Sequence, residues 1–151
     1  MKEDFVSFEL AKKLKEKGFG KPCLAYYDVE DNVGLLYNIQ YSDELLPCQY
    51  TDLLASHNEN EVSYPDDSEN CVDAPTISQV LKWLRDVHHL HFEVVGAAYG
   101  YNLIISDTPN KGGTDRYYSH AKDDGPNDGG AWDEYEDCVM YGIEYVLDNL
   151  I

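Results

Sequence analysis

The sequence predicts an α+β fold in the order helix-strand-strand, helix-strand-strand, helix. An antiparallel four-stranded sheet covered by helices on one face is expected, with long acidic loops. Three observations carry this. Three stretches repeat apolar residues every three or four positions and open on good capping residues. Two others alternate polar and apolar positions and fold back at turn residues. Polar, turn-rich segments run over 42–75 and 107–131. At 151 residues, 43% of them hydrophobic, the chain suits one α+β domain over 1–151, or two small subdomains, with a core of its own.

The first helix is expected over 8–17. Ser7 can accept from the first free amides, and Phe8, Leu10, Ala11 and Leu14 form the apolar stripe. Gly18 suits the left-handed position after a helix, with Phe19 folding back on Leu14. "KPCLAYYDV" reads as a strand, "EDNVG" as a turn and "LLYNIQYS" as the returning strand. In 42–75 only 51–55 has helical character, and a loop this long is usually functional or mobile.

The second helix is expected over 77–87. Thr76 and Gln79 have capping-box spacing, and Ile77, Val80, Leu81, Leu84 and Val87 share a face, with Trp83 at its border. "LHFEVVGAAYGYNLIISD" reads as a hairpin reversing between Gly96 and Gly100. The last helix is expected over 134–149, with Tyr135, Val139, Ile143, Val146 and Leu150 on one stripe. "LAKKLKEK" and "VLKWLRDV" share a spacing, which a duplicated helix-hairpin unit would produce, as would any two amphipathic helices.

Charge is the strongest global signal. There are 29 acidic residues against 11 basic ones, a net −18. Six of the bases lie within residues 2–21. Residues 22–81 carry twelve acids and no Lys or Arg, and 123–151 carry nine acids and none. Such a field repels phosphate backbones and anionic membranes, so direct nucleic-acid or membrane binding is disfavoured. No apolar run approaches the roughly 20 residues that span a bilayer, and the start of the chain lacks a signal-peptide core. The 13 tyrosines are the second anomaly. Tyrosine is enriched and lysine depleted at protein interfaces, so the composition favours a protein partner with a basic surface.

The segment "DDGPNDGGAWDEYEDC" at 123–138 concentrates both signals. It fails as an EF-hand, because Pro126 and Tyr135 stand where ligands are needed. It also lacks the lysine of a phosphate-cradling loop. Asp133 and Glu136 have capping-box spacing, and Glu134 and Asp137 complement the helix dipole. Asp123, Asp124 and Asp128 have no such folding duty. With the nearby aromatics Tyr117, Tyr118 and Trp132 they are the interaction candidates.

No metal or cofactor site is expected. The cysteines, Cys23, Cys48, Cys71 and Cys138, form no C-x-x-C pair and read as reduced thiols, with a Cys48–Cys71 bridge as the alternative. In "HHLH", His88 ends the helix and His89 and His91 share a strand face, with no converging ligand evident. No nucleophile elbow or comparable local signature marks a catalytic residue.

"VSFELAKKLKEKGFGKPCLAYY", "APTISQVLKWLRD" leading into "LHFEVV", and "YEDCVMYGIEYVLDNLI" resemble a family of small proteins carried by phages, prophages and mobile elements of Bacteroides-type bacteria. The match covers both ends and the central helix, about half the chain, and 42–72 and 107–131 are longer than in typical relatives. The resemblance implies a phage accessory protein in the bacterial host cytoplasm and carries over no catalytic residue. The expected function is non-enzymatic binding of a host or phage protein, whose narrower form is an acidic inhibitor of a host factor with carboxylates standing in for phosphates. The alternatives are a virion-associated structural protein and a small-ligand or nucleotide binder.

Overall fold

A computed structural model describes residues 5–21, 23, 25–28, 35–37, 71–107 and 114–151. The fold is α+β, and the chain divides into two compact units, Phe5–Pro75 and Thr76–Ile151.

In the first unit, α1 (Phe8–Glu16) starts where Ser7 accepts from the Leu10 amide at 3.4 Å. It ends as the sequence predicts. Gly18 takes φ +84°, Phe19 N donates to Leu14 O, and Gly18 N donates to Lys15 O. Both hydrogen bonds of the Schellman ending are therefore made. Leu10, Ala11 and Leu14 turn inward, and Val6, Phe19, Cys23 and Ala25 are buried too. β1 (Ala25–Asp28) lies between β2 (Leu35–Tyr37) and β3 (Cys71–Ala74), with both pairings antiparallel. Tyr27 Oη donates to Val6 O at 2.7 Å, and Val6 N donates to Pro75 O at 3.0 Å. These bonds tie the chain before α1 to the sheet.

The second unit opens on α2 (Ile77–Val87). Its capping box is complete: Gln79 N donates to Thr76 Oγ1 at 3.2 Å, and Thr76 N donates to Gln79 Oε1 at 3.0 Å. The buried face is Ile77, Val80, Trp83 and Leu84, rotated from the expected stripe. Trp83 moves inward and Val87 is exposed, because the large indole takes the inward position and packs against His88, 4.5 Å between ring centres. His88 caps α2, and His89 takes φ +58° in the connection rather than a strand position.

β4 (Leu90–Ala97) and β5 (Gly100–Asp107) form the expected hairpin, in register from Leu90↔Asp107 to Ala97↔Gly100. β6 (Asp115–Tyr118) pairs with the far edge of β5. A short α3 (Ser119–Lys122) follows, then α4 (Tyr135–Asn149). α4 covers one sheet face. Gly142 sits where an added Cβ would lie 2.8 Å from a Phe92 ring carbon and closer still to Leu103.

The described strands form two three-stranded sheets, not the single four-stranded sheet expected. Each hairpin takes its third strand from a polar segment read as irregular: β3 from 42–75, and β6, with α3, from 107–131. "CVDA" and "DRYY" are too short to show a period among acids and turn residues. The third strands also join differently. β3 flanks the first strand of its hairpin and β6 the second, so the described topologies are not copies. Most of 42–75, including Cys48 and the residues 51–55 expected to be helical, lies outside the described residues.

Candidate interaction site

The six residues singled out in the sequence fall within 117–132 of the second unit. Strand alternation separates the two tyrosines. Tyr117 pairs with Ile105 and follows it into the core, where it is 2% exposed. Tyr118 pairs with Ile104 on the other face and is 42% exposed. Ser119, fully buried, fixes the turn into α3. Its Oγ accepts from Leu103 N at 2.9 Å and donates to Asn102 Oδ1 at 3.4 Å.

Around Tyr117 the aromatics converge. Its ring lies 4.4 Å from Tyr145 and 6.2 Å from Tyr141, centre to centre, and Tyr141 lies 4.9 Å from Trp132. Tyr117 Oη donates to Asp124 Oδ2 at 3.0 Å. Burial pushes the Tyr117 phenol up, and the hydrogen bond to Asp124 adds to it. Burial likewise raises Tyr141, with Asp124 again the next cause. Lys122 closes the cluster. Its Nζ donates to Tyr145 Oη at 3.0 Å and sits 4.9 Å from the Tyr145 ring centre and 5.5 Å from that of Tyr117. The bond to Tyr145 is the chief cause of a raised Lys122 pKa.

The three aspartates therefore differ. Asp124 holds the buried Tyr117, so it has the folding duty that the sequence did not reveal. Asp123 ends α3 in the left-handed region, at φ +56°, and its side chain is exposed. Asp128 is exposed at the tip of a turn. That turn is closed by Asn127 N to Ala131 O and Gly130 N to Asn127 O, each 3.0 Å. Gly130, at φ +72°, lies so close to Ser119 and Asp123 that a Cβ would come within 2.9 Å of Asp123 Cα. Trp132, 7% exposed, then bonds Tyr101 in both directions, at 2.7 and 3.0 Å, extending the sheet.

The expected capping box at Asp133 and Glu136 does not form. The N-cap is Glu134, without a side-chain bond, and Asp133 instead accepts from Asn127 Nδ2 at 2.7 Å. The same Asn127 nitrogen donates to Tyr99 O at 3.2 Å. One side chain thus joins the hairpin tip, the acidic loop and the start of α4. Tyr99 is 70% exposed there, and Tyr135, half-exposed, packs edge-to-face on Tyr101 at 5.9 Å. Exposed Asp128, Asp133, Glu134 and Asp137 share this stretch of chain.

Of the six sequence candidates, Tyr118, Asp123, Asp124 and Asp128 reach solvent, while Tyr117 and Trp132 support them from within. Sequence reasoning missed Tyr99, Lys122, Tyr135, Tyr141 and Tyr145 as parts of the site. Tyr141 and Tyr145 stand four apart on a helix, a spacing that places both rings on one face.

Elsewhere in this unit, a cleft of about 220 Å³ is lined by His88, Leu90, Asp107, Arg116, Leu150 and Ile151. It falls below the roughly 300–1,000 Å³ of small-molecule sites. Its guanidinium is already engaged, Arg116 Nε and a terminal nitrogen each bonding Asp107 at 3.0 Å. The bond to Arg116 holds the Asp107 carboxyl below its usual range. Among the described residues, no three His, Cys, Asp or Glu side chains group as metal ligands. Cys23 and Cys138 are buried, and burial pushes the Cys138 thiol up to about 11. No described helix is long and apolar enough to cross a membrane. No protein-family model, curated protein or solved structure matches the chain.

Proposed function

We propose that the protein is a non-enzymatic binder of a protein with a basic surface, and that the acidic loop 123–133 and its tyrosine-bearing neighbours make the contact. One observation carries this reading: the exposed carboxylates stand on a loop fastened by backbone bonds and by Asn127, which ties it to the hairpin tip at exposed Tyr99, while exposed Tyr118 ends the strand that precedes it. A fastened loop loses little conformational entropy on binding, and tyrosines add contact area at low entropic cost. With no Lys or Arg over 123–151, the segment presents one sign of charge to its partner. The resemblance to phage-borne proteins makes a host protein in the bacterial cytoplasm the first partner to seek. An enzyme that handles nucleic acid, its basic cleft met by carboxylates in place of phosphates, is the narrower form of the proposal.

The test is capture from lysate of a Bacteroides-type host, followed by reconstitution with the purified partner. The comparison variant combines Tyr118→Ala, Asp123→Asn and Asp128→Asn, and leaves Asp124 in place. The reading expects a partner with a basic surface whose association the variant slows. Capture equal for the chain and the variant contradicts the site, and a partner without a basic surface contradicts the function.

A further inference from the structure

We propose that Tyr117 and Tyr145 form a seat for an organic ammonium group, and that Lys122 of the same chain occupies it until a partner's cationic side chain takes its place. The geometry is that of cation recognition by aromatic rings. The Lys122 ammonium lies within 6 Å of both ring centres, 5.5 and 4.9 Å, and it bonds the Tyr145 hydroxyl at 3.0 Å. The rings are held in place independently of the lysine. Tyr117 is buried and anchored through its hydroxyl to Asp124, and Tyr145 belongs to α4 and packs 4.4 Å from it. The lysine is the member that can be displaced. It ends the four-residue α3, is exposed, and carries a long flexible stem. Withdrawing it leaves a ring surface with Asp124 beside it, the surroundings that favour a positive guest.

The tyrosine faces also explain a feature of composition. Lys122 is the last base before 29 residues that contain none, yet it is turned onto rings of its own chain. A cation held this way masks the seat from small ions and gives way to one delivered with further contacts, such as a lysine or arginine docking against Asp123 and Asp128. The seat deepens the reading of the protein as a binder of basic partners, but the two fail separately, since the seat can be probed with no partner present.

The probe is tetramethylammonium chloride, titrated against sodium chloride at matched ionic strength, with the tyrosine ring resonances observed by NMR. In Lys122→Met, saturable shifts are expected at Tyr117 and Tyr145, with half-saturation at least about threefold lower than in the unaltered chain. Adding Tyr145→Leu to that variant should abolish them. Lys122→Gln serves as a second opening variant, and the far-ultraviolet circular dichroism of each variant reports that α4 is retained. Absence of saturable shifts in both opening variants overturns the seat. So does equal half-saturation with Lys122 present, or persistence of the shifts after Tyr145→Leu. If the seat fails while the host partner still binds the chain and not the triple variant, the seat alone is withdrawn.

Discussion

Tyr117 shows how one residue divides the site into a support and a surface. Its hydroxyl cannot be buried without a partner, and Asp124 supplies one. Tyr117→Phe should destabilise the unit by about 0.5–1 kcal/mol, read by urea denaturation, because Asp124 keeps access to water when the bond is lost. The pH dependence has a definite sign. A phenol raised on folding contributes stability that is complete below its ordinary value near 10 and is lost as pH rises toward the folded value. Thermal melts should therefore drop as pH passes about 10, and less steeply in Tyr117→Phe. An identical alkaline fall in both would remove Tyr117 as a cause. The sequence displayed Tyr117 and Tyr118 as equivalent neighbours. Only the pairing register, which no residue type encodes locally, sends one inward and the other out.

The elements that announced themselves are those with caps and sustained periods. Thr76 with Gln79 and Ser7 with Gly18 fix helix starts and ends through local hydrogen bonds, so α1 and α2 were legible to within a residue or two. Thr76→Ala should cost about 1 kcal/mol, measured by chemical denaturation, with α2 the first element to lose amide protection in hydrogen exchange. The hairpin was equally legible, since eight-residue strands show their alternation. β3 and β6 were not, because four residues do not establish a period and their acids read as loop. α4 hid its own requirement. Its Gly142 looks like a weak point, and Gly→Ala within a helix ordinarily gains about 0.5–1 kcal/mol. Here the added Cβ meets Phe92 and the fully buried Leu103, so Gly142→Ala should instead destabilise by about 1–3 kcal/mol. A higher melting temperature for that variant would mean that α4 does not approach β4 and β5 so closely.

Across the whole chain, the charge distribution and the fastened loop act together. A net charge of −18 with its bases concentrated within residues 2–21 leaves the second unit's acidic stretch uncompensated in sequence. That imbalance points to a kind of partner, a protein with a basic surface, and to no reaction. The site was legible only in part, because Asn127 meets Tyr99, and Tyr135 meets Tyr101, through contacts far apart in sequence. Replacing Asp123 and Asp128 by Asn and Tyr118 by Ala should change stability by no more than about 0.5 kcal/mol per site, since all three are exposed. The role proposed for these groups is recognition of a basic protein. Its most direct measurement is the association rate constant with the purified host partner, for the chain and for this triple variant, across ionic strength. For the chain the association rate should fall steeply with added salt, and the variant's deficit should be largest at low salt and shrink as the Debye length drops below about 10 Å. Rates that coincide for the two proteins at every ionic strength, with both still folded, would contradict it.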